Sequence, residues 1–454
     1  MNARTGLEKL RTYPYLLLTW RDASGYPITV AVEARINAEA GAATVALPAG
    51  LDGPSGEISL TGSHIRPTPG YGYDQRRHVT VWGKATQVGS EVELLATSAW
   101  GWDEAEVPFF EYSERSVPRS RRYFTDLSRR LGRAVKPQLS FFWLALRATR
   151  LPFLSATFVP VLLGILIAAA DGAFDLTAAV LTVVGAAAVH LGLNVANDVF
   201  DTLSGADEVN VNPTKYSGGS RVIQYGLVSL GRMALISIAF YAIGAAIGLV
   251  LLATRGSTAL LWIGLLGIAI SVFYTAPPFR LVYRGLGEIA VFLGFGPLML
   301  LGAYVVQTRG EISPGAALAS IPIGILVALI LYVNEIPDRR ADAAAGKLTL
   351  PTRWSADTVL RVYAVATGAA FVSVAVGVIL GVLPLPALLV FLGIPLALRV
   401  HAGLRRSYNS PYELMPAMAL NIQLHLVVGG MLLLAYAATL GLALLLPEVR
   451  PFLR

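Results

Sequence analysis

The sequence predicts an all-α bundle of nine membrane-spanning helices preceded by an all-β domain. Three observations carry this reading. Of 454 residues, 55% are hydrophobic and 14% charged, whereas a soluble domain carries about 25% charged residues. The deficit lies after residue 150, where apolar runs long enough to cross a bilayer recur. Residues 1–110 instead carry short β-type runs broken by Gly, Pro, Asp and Ser. The boundaries fall at 1–110 for the β-rich domain, 111–137 for a basic linker and 138–454 for the membrane domain.

In the first domain, strands are expected over 15–20, 28–36, 43–47, 57–61 and 79–85. Ile28, Val30, Val32 and Ala34 share one face of an alternating run, with Thr29 and Glu33 opposite, as in a half-buried strand. The linker turns basic. Arg115, Arg119, Arg121, Arg122, Arg129, Arg130, Arg133 and Lys136 interleave with Tyr123, Phe124, Leu127 and Leu131, and the apolar spacing after Pro118 is helical. Such a helix suits an anionic leaflet and equally suits a solvated linker packed on the β-domain.

Membrane spans are expected at 148–170, 176–200, 230–253, 258–276, 286–307, 316–335, 358–382, 385–402 and 415–446. Their loops alternate in charge. One side holds the basic linker, then Lys215, Arg221 and Arg232, then Arg280 and Arg284, then Arg339, Arg340, Lys347 and Arg353, then Arg405 and Arg406. The positive-inside rule places these loops and the N-terminus in the cytoplasm, and the C-terminus outside. The net charge of +7 is thereby read as basic loops at a membrane, with no nucleic-acid partner. There is no cysteine, which excludes disulfides and thiolate metal sites. The first residues lack the apolar core of a signal peptide.

The chemistry concentrates in two of the basic loops. Asn194, Asp198 and Asp201 fall at i, i+4 and i+7, on one face of the second span's end. Asn334, Asp338 and Asp342 repeat the pattern at the end of the sixth, where Pro337 is expected to kink or unwind the helix. Carboxylates and amides are ligands for a hard cation such as Mg²⁺. Together with basic, Gly-containing loops they suit a Mg²⁺-bridged polyphosphate. A nucleotide would call for a P-loop, and the sequence has none. An isoprenyl diphosphate fits: its head at the metal, its apolar tail between spans. Tyr274, Tyr283 and Tyr332 lie near the same helix ends. They suit either the steadying of an allylic cation or an interfacial aromatic belt.

The segments N-P-T-K-Y-S-G-G-S-R-V-I-Q, Y-T-A-P-P-F-R-L-V-Y-R-G-L-G-E and N-E-I-P-D-R-R-A-D-A-A-A-G-K-L-T-L, with the two acidic motifs, resemble the UbiA superfamily of intramembrane prenyltransferases. They look most like the branch that prenylates 1,4-dihydroxy-2-naphthoate on the way to menaquinone, over residues 140–446. The resemblance implies a Mg²⁺-dependent transferase using polyprenyl diphosphate and an aromatic acceptor. It implies that Asn194, Asp198, Asp201, Asp338 and Asp342 hold metal and diphosphate. It gives Lys347, Arg221, Lys215 and Arg147 as diphosphate contacts. Relatives often carry a further Asp where this chain has Gly205, with Asp207 or Glu208 as substitutes, and many carry Asn-Asn where it has Asn334-Glu335. Two other readings remain: a relative acting on another acceptor (chlorophyll, haem, tocopherol, ether lipid or sugar phosphate), and a transporter or scaffold that only binds the metal.

The order of β-runs, with G-S-H-I-R-P-T-P-G-Y-G-Y-D-Q-R-R-H-V-T-V-W-G-K-A at 62–85, resembles the flavin-binding split barrels of the pyridoxamine-phosphate-oxidase type. That resemblance implies FMN and a homodimer formed through this domain. His64, Arg66, Arg76, Arg77 and His78 would line a phosphate site or be ordinary surface residues. The second reading is preferred, with the domain a docking or dimerisation element.

Overall fold

The computed structural model describes the whole chain apart from residues 49, 52, 55, 68–72, 89–90, 108, 136–139, 211–212, 215 and 446–454. Lys136 and Lys215 therefore lie outside the described residues. The chain divides into two compact units, Met1–Arg115 and Ser116–Arg454.

The first unit is one antiparallel sheet with a short helix. Its strands are β1 (Leu16–Arg21), β2 (Pro27–Val32), β3 (Ala34–Asn37), β4 (Ala42–Ala46), β5 (Gly56–Pro67), β6 (Tyr73–Val88) and β7 (Glu91–Asp103), in the order β2-β1-β5-β6-β7-β4-β3. The alternating run 28–36 serves both edges: Ile28 to Val32 pairs with β1, and Ala34 to Asn37 with β4. Only Glu33 separates the two, so the chain passes directly from one edge of the sheet to the other and the sheet curls into a half-barrel. This is the barrel-like architecture expected for the domain. Strand β7 was not among the expected runs, because its Glu and Ala residues dilute the alternation. Helix α1 (Ala3–Leu10) is capped by the Asn2 side chain, which accepts from the Thr5 amide at 2.8 Å. It drives Leu7 and Leu10 into a core with Leu18, Leu60 and Val81.

The basic residues of this unit are engaged separately. Arg66 forms two bonds to Asp74, at 2.6 and 2.7 Å. Arg76 pairs with Glu104 at 2.5 Å, and Arg77 lies over the Tyr13 ring. His78 sits among Trp100, Trp102 and Tyr112, and burial lowers its pKa.

Helix α2 (Phe109–Leu131) runs on through Pro118 rather than starting after it. The second unit continues with α3 (Phe141–Ala148), α4 (Ser155–Ala170), α5 (Leu176–Ser204), α6 (Ala206–Val209), α7 (Leu230–Arg255) and α8 (Thr258–Phe273). Next come α9 (Gly287–Leu293), α10 (Met299–Thr308), α11 (Pro314–Ala344), α12 (Leu350–Arg353), α13 (Ala356–Ile379), α14 (Ile394–Ser407) and α15 (Met415–Leu445). A π-turn, Gly294–Leu298, joins α9 to α10, and a 3-10 segment, Leu385–Gly393, leads into α14.

Among the described residues, seven helical segments are long and apolar enough to cross a membrane. The other two expected spans are present as the shorter apolar helices α4 and α8, of 16 residues each. At 1.5 Å per residue each is about 24 Å long, short of a hydrocarbon core of about 30 Å. Among the described residues the structure thus has seven full-length candidates plus two short helices where nine spans were expected.

Helix α11 is the axis of this unit, with α9, α13 and α15 packed against it. It starts with Ser313 accepting from the Ala316 amide and Pro314 in the first turn. It continues through both Pro322 and Pro337, so the expected break at Pro337 does not occur and the motif keeps its helical spacing. Beside it, Gly296 in the π-turn meets Gly324 so closely that an added Cβ would lie 2.7 Å from the Gly324 Cα.

Candidate active site

Helices α5 and α11 bring the two motifs together. Helix α5 carries Asn194, Asp198 and Asp201 to its last turns, where Gly205 ends it in the left-handed region at φ 78°. Helix α11 carries Asn334, Glu335, Asp338 and Asp342. Between them lies a cavity of about 170 Å³ lined by Asn194, Asp201, Asp207, Asp338, Asp342 and Lys347, among others.

The loop after α6 ties the two helices. Gly218 and Gly219 have φ 77° and 76°, a region Gly occupies at no steric cost. The Gly218 amide donates to Asp338 Oδ2 at 2.9 Å, and the Ser220 amide to both oxygens of Asp198 at 3.2 Å. Asp338 also accepts from Asn210 Nδ2 and Ser217 Oγ, each at 3.0 Å. A Cβ on Gly219 would come within 3.0 Å of Asp207 Oδ1.

Cations face these carboxylates from two directions. Arg150, at φ 52°, reaches Asp198 Oδ1 at 2.5 Å. Burial works against its charge, but the carboxylates of Asp198, Asp207 and Asp201 raise its pKa above the ordinary arginine value. Lys347 lies 3.4 Å from Asp201 Oδ2 and 3.9 Å from Asp342 Oδ1. Burial opposes its charge too, and Asp201 and Asp342 hold its pKa well above the ordinary lysine value. Asp207 is pushed the other way, well above the usual carboxylate range, by burial and by repulsion from Asp201 and Asp198.

Each expected residue among the described ones has a definite place. Asn194 lines the cavity and donates to the Thr149 carbonyl at 3.1 Å. Asp201, Asp338, Asp342, Lys347 and Tyr274 line it as well. Asp198 is buried behind it, held by Arg150 and Ser220. Arg147 and Arg221 are not among the lining residues. Arg147 donates to the Ser220 carbonyl at 2.8 Å and lies between the Trp143 and Tyr225 rings; Arg221 donates to the Asp207 carbonyl. Both therefore brace the Gly218–Gly219 loop from behind. Tyr332 is buried with its hydroxyl on the Val359 carbonyl at 3.1 Å, and Tyr283 donates to Asp201 Oδ1 at 2.7 Å. Neither is an exposed belt residue. Of the two substitutes for the missing Asp at Gly205, Asp207 is buried and lines the cavity, whereas Glu208 is exposed.

Arg150, Asn197, Asn210 and Glu335 were not foreseen as site residues. Arg150 lies between two short helices with no charge pattern to mark it, and only folding brings it to Asp198. Asn197 is in the N-V-A-N-D string and could have been found there.

The donor set fits a hard cation shared with a substrate. Asn197 Oδ1, Asn334 Oδ1 and both carboxyl oxygens of Glu335 are buried at the cavity without a hydrogen-bond partner. Among the described residues, no three carboxylates or histidines gather closely enough to enclose an ion. Mg²⁺ ordinarily keeps waters and substrate oxygens and uses only one or two carboxylates.

A second cavity, about 400 Å³ and almost wholly apolar, adjoins the first. His190, Leu193, Tyr274, Val291 and Phe295 line both. Leu249 and Leu265, on its outer rim, are exposed.

The chain is 26% identical over 311 residues to a 2-carboxy-1,4-naphthoquinone phytyltransferase from Synechocystis, covering 67% of this chain and 96% of that one. It is 28% identical over 284 residues to a 1,4-dihydroxy-2-naphthoate octaprenyltransferase from Bacillus subtilis, covering 63% and 89%. With the enzyme of the same name from Mycobacterium tuberculosis it shares 32% identity over 243 residues, covering 53% and 78%. Among solved structures it is similar to a UbiA homologue from Aeropyrum pernix K1, at 20% identity and a TM-score of 0.47, covering 62% of this chain and 98% of that one. Residues 157–423 match the UbiA prenyltransferase family, and the chain belongs to that family.

Proposed function

We propose that this protein is a membrane enzyme that moves a polyprenyl chain from its diphosphate to an aromatic acceptor of the 1,4-dihydroxy-2-naphthoate class. One observation carries the reading: a charged cavity that adjoins an apolar one, with five lining residues shared between them. That junction matches a substrate with a diphosphate head and a hydrocarbon tail. The acceptor class is supported by the names of the relatives.

Asp201, Asp338 and Asp342, with Asn194 and the orphaned amide oxygens, would hold Mg²⁺. When bound, Mg²⁺ supplies Lewis-acid stabilisation of the leaving diphosphate. Lys347 and Arg150 neutralise the remaining phosphate charge, and Lys347 also anchors Asp201 and Asp342. Asp198 acts through Arg150 and the Ser220 amide, setting the loop that faces the diphosphate. Tyr274 and Phe295 line the junction, and Phe153 lines the charged cavity beside it, where positive charge would develop at the allylic carbon. The apolar walls keep water from that carbon. The exposed leucines at the rim leave a route for a tail longer than the cavity to run into lipid.

The same reading places the enzyme in the cell membrane, with the short helices α4 and α8 completing nine spans and the acidic motifs on the cytoplasmic side, as the loop charges support. For the sheet unit we propose a docking or dimerisation role, since Arg66 and Arg76 are already neutralised by Asp74 and Glu104. Flavin absorbance in the purified protein would overturn that role.

The deciding experiment incubates purified protein in lipid nanodiscs with a prenyl diphosphate, Mg²⁺ and a panel of aromatic acceptors, and identifies products by mass. A prenylated naphthoate product is expected. Transfer to none of the acceptors would overturn the proposal.

A further inference from the structure

Over residues 119–133, helix α2 and the turn after it carry Arg119, Arg121, Arg122, Arg129, Arg130 and Arg133 against the single acid Asp126. All of these side chains are exposed, and Asp126 is paired with Arg129 at 3.0 Å. On the same helix Tyr123, Leu127 and Leu131 fall at i, i+4 and i+8, so they form one apolar stripe. Arg119 and Arg130 lie one turn from Tyr123 and Leu127 and border it. The two ends of the stripe are open: Tyr123 is 61% and Leu131 52% exposed.

The next helix begins with a second exposed apolar group. Helix α3 opens on Phe141 and Phe142, 86% and 70% exposed, followed by Trp143, also exposed. Its other face packs Leu144 and Ala148 with Val222 and Leu227. Only the short turn Leu151–Leu154 stands between α3 and the apolar helix α4. Both segments are fixed beside the loop after α6. Arg147 lies over the Trp143 ring, and a Cβ on Gly226 would come within 3.1 Å of the Arg121 guanidinium. The same loop meets the acidic motifs through its Gly218 and Ser220 amides. Helices α2 and α3 therefore lie at the end of the bundle that carries those motifs.

Clustered aromatic and aliphatic side chains left in water mark a surface that something covers. Here the cover must be apolar against the stripe and anionic against the arginines. A bilayer with acidic headgroups is both, and α4 enters the bilayer a few residues further on. We propose that α2 and the start of α3 form a docking surface for the anionic lipid headgroups of the leaflet at this end of the bundle. Tyr123, Leu127, Leu131, Phe141 and Phe142 sink into the boundary between headgroups and acyl chains. The guanidinium groups bordering them take the lipid phosphate oxygens, and the attraction grows with the negative charge of the leaflet. The loop charges make that leaflet the cytoplasmic one. This surface lies outside residues 157–423, which match the family, and outside the charged cavity. It stands whatever the acceptor is.

The chain has no cysteine, so a single introduced thiol takes a nitroxide label at one known place. The test labels Leu131→Cys in the full chain, in nanodiscs of phosphatidylcholine alone or with phosphatidylglycerol added. It compares collision of the label with oxygen, which concentrates in lipid, and with a nickel chelate, which stays in water. Val365→Cys, on the exposed side of α13, and Tyr26→Cys, on the sheet unit, supply the lipid and water references. With phosphatidylglycerol present, the residue 131 label is expected to read like the lipid reference. In phosphatidylcholine alone, or at high salt, its ratio of oxygen to nickel collisions should fall several-fold toward the water reference. Replacing Arg122, Arg130 and Arg133 together by Gln should give the same fall with phosphatidylglycerol present. A label that reads like water in both lipids would overturn the proposal. So would one that is lipid-like in both, or one shielded from both reagents whatever the lipid, which would mean that the sheet unit or a second copy covers the stripe. The comparison of the two lipids uses the native arginines, so it decides the matter even where the triple variant does not fold.

Discussion

At the scale of the residue, the site is held by charges that answer one another. Asp201 accepts from Tyr283 and Lys347 while facing the cavity. Asp201→Asn keeps its shape and removes its charge. Turnover is expected to fall on the order of 10²-fold or more, because a proposed metal ligand is lost, while Lys347 keeps Asp342 as a partner and thermal unfolding changes little. Asp198 behaves differently. It lies behind the cavity, 2% exposed and bonded to Arg150. Asp198→Ala strands the Arg150 charge, and a loss of about 3 kcal/mol of stability is expected, read as a lowered Tm alongside lost activity. Chelation with EDTA should abolish transfer by the wild type, and added Mg²⁺ should restore it, with product mass as the readout.

At the scale of the element, two contacts set where the motifs stand. The loop at Gly218 and Gly219 stitches α5 to α11 through backbone amides, and at Gly219 both its φ of 76° and the nearness of Asp207 exclude a side chain. Gly219→Ala is expected to cost about 1–3 kcal/mol and to weaken diphosphate binding, seen as a raised KM. The crossing of the π-turn with α11 at Gly296 and Gly324 is set by backbone contact. Gly296→Leu should push α11 away and lower both Tm and turnover, since α11 carries Asp338 and Asp342. Overpacking of this kind typically costs about 1–3 kcal/mol.

At the scale of the whole molecule, the loop charges set an expected topology. An odd number of crossings puts the two termini on opposite sides of the membrane. Reporter fusions at residue 1 and residue 454 are therefore expected to report the cytoplasm and the exterior respectively. Both reporters on one side would show that α4 or α8 does not cross.

Much of this arrangement was legible in the residues themselves. Asn194, Asp198 and Asp201 share a helix face because 3.6-residue periodicity leaves no alternative once the segment is helical. The apolar lengths required spanning helices, and the alternation from Ile28 to Ala34 required a strand. These are local consequences of covalent geometry and hydropathy. Other features depended on distant parts of the chain meeting. Arg150 finds Asp198 across 48 positions, and the Gly218 amide finds Asp338 across 120. Glu335 is left without a donor because of what surrounds it, and Pro337 sits within a continuous α11 that its packed neighbours support. The sequence by itself determined which residues carry charge and which helices carry them. The tertiary structure alone decided which charges cancel and which stay free for a substrate, because a partner is a matter of distance in space and not of spacing along the chain.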